Sequence, residues 1–288
     1  MKIVILAGGT GQRLNPITSY INKHLLPIYN KPMIFFPISF AILIGASQIL
    51  IICSDNESKK KYKKILDPFK AKIKFHYKIQ KKASGIPDAM SYGEKFLKNQ
   101  DQKIYILGDN FFYGHSLIQN IKSQLDKKKP TIFLKKVDNP SSFGVAKLNK
   151  NQITKIEEKP KNPKSNYAVV GLYFYPNHVI EIAKNIKPSI RGELEITSIN
   201  NSFLENNSLI VELFDKNFTW LDSGTHESML EASNYIHTIE KRTGLKIACI
   251  EEIAYKLGYI NKKKFHEIIN YIGDNQYGDY LKKINNEI

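Results

Sequence analysis

The sequence predicts an α/β protein, a mixed, mainly parallel sheet flanked by helices with a C-terminal helical appendage. Three observations predict it. Short apolar runs alternate with runs of helical spacing through the first half, as in a parallel sheet covered by helices. From residue 143 to 175 the pattern changes to consecutive extended runs separated by turns, which adds antiparallel or mixed strands. Residues 251–288 read as short helices.

The first strand lies near residues 2–6 and runs straight into a glycine turn, so it does not read as a signal peptide. Further strands are predicted near 48–53, 73–79, 103–108 and 131–136, and helices near 32–45, 56–66, 86–98 and 116–126. The extended runs are FGVAKLN, QITKIEE and YAVVGLYFY. Helices near 177–186 and 193–206 follow, then strands near 208–214 and 217–221. A helix over 226–242 carries Met229, Leu230, Ala232, Ser233, Ile236 and Ile239 at roughly helical spacing. With no internal repeat and no linker, residues 1–288 read as one domain, with a core to about 242 and an appendage over about 243–288.

An apolar content of 42% in 288 residues allows a sizeable core. The longest apolar stretch is interrupted by Pro37 and Gly45, so no membrane partner is expected. Two cysteines, Cys53 and Cys249, imply no disulfide framework and fit a reducing cytoplasm. The net charge of +16 raises the possibility of nucleic-acid binding. The basic residues argue against it: only Arg13, Arg191 and Arg242 are arginine, and the lysines scatter over helices and loops.

The chemistry concentrates in a few segments. In LAGGTGQRL (6–14), Gly8, Gly9 and Gly11 let backbone N–H groups face a ligand, and Arg13 adds a fixed positive charge. The segment matches neither the dinucleotide fingerprint nor the P-loop. Its functional reading is a triphosphate cradle; its structural alternative is a tight turn with Arg13 in solvent. Asp109 ends the apolar run IYILGD, and Asp222 ends FTWLD. Two carboxylates beyond strand ends suit one Mg²⁺ shared with phosphate oxygens, or else they cap turns. Lys159 follows Glu157 and Glu158, and Arg191 precedes Glu193 and Glu195. Such groups suit a second phosphate and sugar hydroxyls, or form surface ion pairs. The histidines show no metal spacing, and there is no G-x-S-x-G and no C-x-x-C.

Together LAGGTGQRL, KHLLPIYNKPMI, LGDNFFYGH, EEKPKNPKSNYAVVGLYFY, RGELEIT and WLDSGTHESMLEASN resemble the sugar nucleotidyltransferases. The likeness is to the short glucose-1-phosphate thymidylyltransferase (dTDP-glucose pyrophosphorylase) branch and covers nearly the whole chain. It implies a Rossmann-like sheet and Mg²⁺-dependent transfer between dTTP and glucose 1-phosphate, at the start of dTDP-deoxysugar synthesis such as that of dTDP-rhamnose. The resemblance implies that Leu6, Gly8, Gly9, Gly11, Gln80 and Gly85 hold the nucleoside and that Arg13 and Lys23 hold the triphosphate. Asp109 and Asp222 would bind the metal. Gly144, Glu158 and Val170 would contact the hexose, with Trp220 close by, and Lys159 and Arg191 would grip its phosphate. A homotetramer with a dTDP-sugar feedback site is also implied, matched here by Tyr113, Gly114 and His115.

Several positions depart from the family pattern. Phe143 stands in place of a tyrosine, His24 in place of a glutamine, and Lys216 and Lys256 in place of arginines at the feedback site. Pro87 and Asp88, in SGIPDA, stand where the resemblance places the rim of the nucleotide pocket, and the segment around 66–73 is shorter than in the family. The same chemistry on UTP or another sugar 1-phosphate, and a catalytically silent nucleotide-binding homologue, are the rival readings.

Overall fold

The computed structural model describes residues 1–69, 72–149 and 152–287. Strand β1 (Lys2–Ala7) leads through a glycine loop to two short strands, β2 (Pro27–Ile28) and β3 (Lys31–Pro32). Then α1 (Phe35–Leu43), β4 (Gln48–Cys53), α2 (Asn56–Leu66), β5 (Lys74–Ile79), α3 (Ile86–Ser91) and β6 (Gln102–Leu107) alternate. There follow β7 (Asn110–Gly114), α4 (Leu117–Asp126), β8 (Thr131–Lys136), β9 (Gly144–Asn149), β10 (Gln152–Glu158) and β11 (Tyr167–Pro176). The remainder is α5 (Val179–Asn185), α6 (Ile196–Glu205), β12 (Ile210–Phe214), β13 (Phe218–Asp222), α7 (His226–Thr243), α8 (Ile250–Lys256), α9 (Lys262–Ile272) and α10 (Gln276–Glu287).

Among the described residues, nine strands form the main sheet, with the path β10-β9-β11-β6-β1-β4-β5, β8 attached to β11, and β12 attached to β8. The run β6-β1-β4-β5 is parallel, as is β8-β12. Strand β11 runs antiparallel to β6, β8 and β9, which makes the sheet mixed as the change of pattern after residue 143 predicts. Strands β7 and β13 form a separate antiparallel ribbon.

Beyond Lys2, strand β1 is apolar because both of its faces are covered. Ile3 and Ile5 belong to one core with α1, α2 and the C-terminal helices, whereas Val4 and Leu6 belong to a second core with α3, α5 and α6. Side chains alternate across a strand, so one short run feeds two layers. Cys249, Ile250, Ala254, Phe265, Ile268, Leu281 and Ile284 of the appendage are buried in the first of these cores.

The short strands β2 and β3 were not predicted, and two elements nearer the site also differ from the sequence prediction. The helix expected over 86–98 ends at Ser91. Gly93 then packs so closely that a Cβ there would lie 3.0 Å from Val4 Cγ2. Strand β7 was not predicted; it exists because β13, more than a hundred residues later, supplies its partner, with Asp222 opposite Asn110.

Candidate active site

A cavity of about 770 Å³ opens beyond the carboxyl ends of the parallel strands, where open α/β sheets bind ligands. Strand β1 delivers Leu6 and the glycine loop, β5 delivers Gln80, β6 delivers Leu107 and Asp109, and β13 delivers Asp222. Arg13, Lys23, Gly85, Gly144, Glu158, Lys159 and Arg191 complete the wall from other elements. The lining thus unites most residues that the sequence singled out from six separate segments.

At the centre the two acids meet. The backbone N–H of Ser223 donates to the Asp109 carbonyl at 3.0 Å, tying the end of β13 to the end of β6. Asp109 is ion-paired with the buried Lys23 and accepts from Asn110 Nδ2 at 2.9 Å. Burial pushes its carboxyl up, but the Lys23 charge and these bonds outweigh it and hold Asp109 below the usual carboxylate range. Asp222 goes the other way. Burial and the Asp109 charge push it up to about 6, only partly offset by Lys23 and Arg13. A second carboxylate held against its own preference beside a first is a fitting place for a divalent cation, which would relieve that repulsion. Among the described residues no cluster of three or more His, Cys, Asp or Glu has metal-holding geometry. Oxygen ligands beyond the two acids would therefore come from phosphates and water.

Arg13 lies on a short turn, Gln12–Leu14, and lines the cavity. Its guanidinium and the Asp222 carboxylate flank Gly224: a Cβ there would fall 2.6 Å from Arg13 Nη2 and 2.7 Å from Asp222 Oδ2. Gly8 faces Gln80, whose Oε1 would collide with any Cβ at that position, while Gly9 faces open space. His24 is buried, its ring against Gly108. Burial drops its pKa to about 4, with Asp109 opposing and Lys23 assisting, so the imidazole is neutral at pH 7.

The far end of the cavity holds the second cationic pair. Lys159 has φ of 42°, an unusual backbone conformation for a side-chain-bearing residue, and its N–H is held by the Phe143 carbonyl at 2.9 Å. Arg191 donates to Glu195 at 3.3 Å and Glu193 at 3.4 Å and lies 3.7 Å from Glu158. Glu158 also accepts from the Thr197 hydroxyl. Burial raises its pKa, opposed by Thr197, Lys159 and Arg191.

The structure separates some expected residues from the cavity. Val170 is fully buried in the core, and its neighbour Val169 lines the cavity instead, so any side-chain contact there belongs to Val169. Trp220 sits behind the lining: its indole donates to Asn110 Oδ1 at 2.6 Å, and its ring packs edge-on against Phe143, which lines the cavity. Tyr113, Gly114 and His115 lie outside it, at the end of β7, where Gly114 pairs with Phe218 just after Lys216. Lys256 is the last residue of α8 and is ion-paired with Glu252 at 2.6 Å.

Sequence reasoning passed over Asn110. Its Oδ1 accepts from the Gly171 N–H at 2.9 Å and from Trp220, while its Nδ2 holds Asp109. One buried amide therefore orients the acid and joins β7, β11 and β13. Its only sequence signal is its place immediately after Asp109.

A family model described as nucleotidyl transferase matches residues 2–239. The chain is 44% identical to a Neisseria meningitidis glucose-1-phosphate thymidylyltransferase over 287 residues, covering 99% of each. It is 38% identical over 285 residues to the Mycobacterium tuberculosis protein of the same name, again covering 99% of each. A solved Bacillus anthracis structure, provisionally named a glucose-1-phosphate thymidylyltransferase and holding sucrose, superposes with a TM-score of 0.74. It is 39% identical, covering 82% of this chain and 95% of that one. A UDP-glucose pyrophosphorylase complexed with UDP-glucose gives a TM-score of 0.72 at 26% identity, covering 83% of this chain and 98% of that one. With paired acids, two cationic ends and a glycine loop around one cavity, and with relatives matching end to end, the chain belongs to the nucleotidyl transferase family.

Proposed function

We propose that this chain is a glucose-1-phosphate thymidylyltransferase, joining dTTP and α-D-glucose 1-phosphate into dTDP-glucose and pyrophosphate. The observation that carries the reading is the layout of the cavity: Arg13 and Lys23 beside two acids at one side, Lys159 and Arg191 at the other. Two anionic substrates would need separate cationic seats on either side of a reaction centre.

An oxygen of the sugar phosphate attacks the α-phosphorus; its new P–O bond forms as the bond to pyrophosphate breaks. That oxygen is already anionic near neutral pH, because the second pKa of a phosphate monoester is about 6. No general base is required. Positioning and charge neutralisation carry the rate. Arg13 offers several N–H donors to the α-phosphate and the departing pyrophosphate. Lys159 and Arg191 hold the attacking phosphate, with Glu158 set to accept from a sugar hydroxyl.

Nucleotidyl transferases use a divalent metal. For this chain we take it to be Mg²⁺, held by Asp109 and Asp222, and its chemistry is to neutralise charge on the reacting phosphates. Lys23, now paired with Asp109, would then turn its ammonium to the triphosphate. Among the described residues no helix is long and apolar enough to cross a membrane. We place the enzyme in the cytoplasm as a homotetramer, with Tyr113, Gly114, His115, Lys216 and Lys256 as its dTDP-sugar feedback site.

The test is Mg²⁺-dependent pyrophosphate release, crossing nucleoside triphosphates with several sugar 1-phosphates. The highest kcat/KM is expected for dTTP with glucose 1-phosphate. Preference for UTP would move the chain toward the chemistry of its UDP-glucose neighbour. No release with any pair would make it a silent homologue.

A further inference from the structure

We infer that Asp88 is a positioning residue for nucleobase choice: it locks the Gln80 amide so that a hydrogen-bond acceptor faces the base. The inference rests on the functional reading above and names a determinant within it. Gln80 directly follows β5 and is buried, and Asp88 lies in the first turn of α3. Gln80 Nε2 donates to Asp88 Oδ2 at 2.7 Å. An ionised carboxylate has no proton to give, so the amide nitrogen must be the atom facing it. The amide oxygen is then turned the opposite way, over Gly8, where it would collide with any Cβ. Among the described residues nothing donates to that oxygen, and Gln80 lines the cavity.

The end of the cavity around it suits a base. Leu6, Ile86, Ala89 and Leu107 supply apolar walls, while the phosphate-binding cations lie across the glycine loop. An apolar slot with one oriented polar group is the usual form of a specificity pocket. A fixed acceptor matches a ring N–H. Thymine and uracil carry one at N3; cytosine presents a lone pair there, which opposes the Gln80 oxygen. Without Asp88 the amide is free to turn, and its nitrogen serves cytosine as readily as its oxygen serves thymine.

The backbone builds this arrangement on purpose-shaped ground. Gly85, just before α3, has φ of 114°, and its Cα lies so near the Leu194 carbonyl that any Cβ would clash. The close approach lets the first turn of α3 bring Asp88 to Gln80. The residue pair SGIPDA and Gln80 is therefore a unit, although eight positions separate its two side chains.

The test compares full-length wild type with Asp88→Ala and Asp88→Asn, with Mg²⁺ and glucose 1-phosphate, on dTTP, dUTP and dCTP. In Asp88→Ala the dTTP-over-dCTP ratio of kcat/KM should fall by about tenfold or more. The change should appear as a raised KM for dTTP, with kcat held within about twofold. The dTTP-over-dUTP ratio should not move, since both bases share the N3–H. Asp88→Asn should lie between wild type and Asp88→Ala, because its amide can accept the same bond but can also turn to donate to the Gln80 oxygen. An unchanged dTTP-over-dCTP ratio in Asp88→Ala would overturn the inference. So would equal losses with all three nucleotides, which would mark a merely structural residue. Wild type that fails to use dTTP would sink the functional reading itself, and this inference with it.

Discussion

Asn110 shows how much of the site depends on one side chain: it holds Asp109, anchors Trp220 and bonds the backbone of Gly171. The two acids it helps to assemble are not equivalent. Asp109 is already neutralised by Lys23, whereas Asp222 carries the raised pKa. Asp109→Asn or Asp222→Asn should each lower Mg²⁺-dependent turnover by about two orders of magnitude or more, while the circular dichroism spectrum persists. A variant with near-normal turnover would remove that acid from the mechanism. Arg13→Lys should also lose much of the rate, about tenfold or more, because an ammonium offers one point charge in place of the fork. Steady-state kinetics with dTTP in excess reads this, and an undiminished kcat would mean that charge alone suffices. The residues that were legible in the sequence are those whose chemistry is local: the glycine loop, Arg13, and acids at strand ends. Asn110, Asp88 and Thr197 act only through partners brought by the fold. Val169 lines the cavity while the Val170 side chain enters the core, because adjacent strand residues face opposite layers.

At the scale of elements, the appendage is fastened to the core by a buried charge cluster. Lys31, beside β2, meets Glu240 of α7 at 2.8 Å, and both side chains are almost fully buried. Glu240 also accepts from Asn30 at 2.7 Å, from the Ile247 N–H at 2.9 Å and from Lys246 at 3.3 Å. Burial pushes the Glu240 carboxyl up, but Lys31, Asn30 and Ile247 outweigh it and hold it below its usual value. Lys31 is shifted against its charged form, chiefly by burial, with Glu240 opposing. Breaking the pair from one side strands an ammonium, so Glu240→Gln should cost about 3–5 kcal/mol in denaturant unfolding. The pH dependence follows the carboxylate. Its folded pKa is depressed, so its contribution is full above the unfolded value of about 4.5 and is lost as pH falls through the folded value. Wild type should therefore lose stability below about pH 4.5 more steeply than Glu240→Gln. Parallel unfolding curves for the two would deny Glu240 this role. Most elements were legible because they are periodic over at least one full run, as in β1, β4 and α7. Strand β7 was not, because its aromatic run becomes a strand only when β13 arrives beside it.

At the scale of the molecule, the +16 charge is spread over lysines, and two of the three arginines, Arg13 and Arg191, line one cavity. The proposed feedback site gives a test at this scale. Lys216 and Lys256 offer single charges where arginines would offer paired bonds, so Lys216→Arg with Lys256→Arg should increase sensitivity to dTDP-rhamnose by about fivefold or more. Light scattering should show a tetramer in both proteins; unchanged sensitivity would free these lysines from the role. The central claim is a direct displacement at the α-phosphorus, driven by cations on two sides and using no protein nucleophile. Its most direct measurement is the stereochemical course with dTTP carrying a chiral α-thiophosphate and glucose 1-phosphate as acceptor. One in-line attack should give dTDP-glucose analogue with inverted configuration at that phosphorus. Net retention would mean two displacements through a nucleotidyl-enzyme intermediate, and would contradict the mechanism built on Arg13, Lys159 and Arg191.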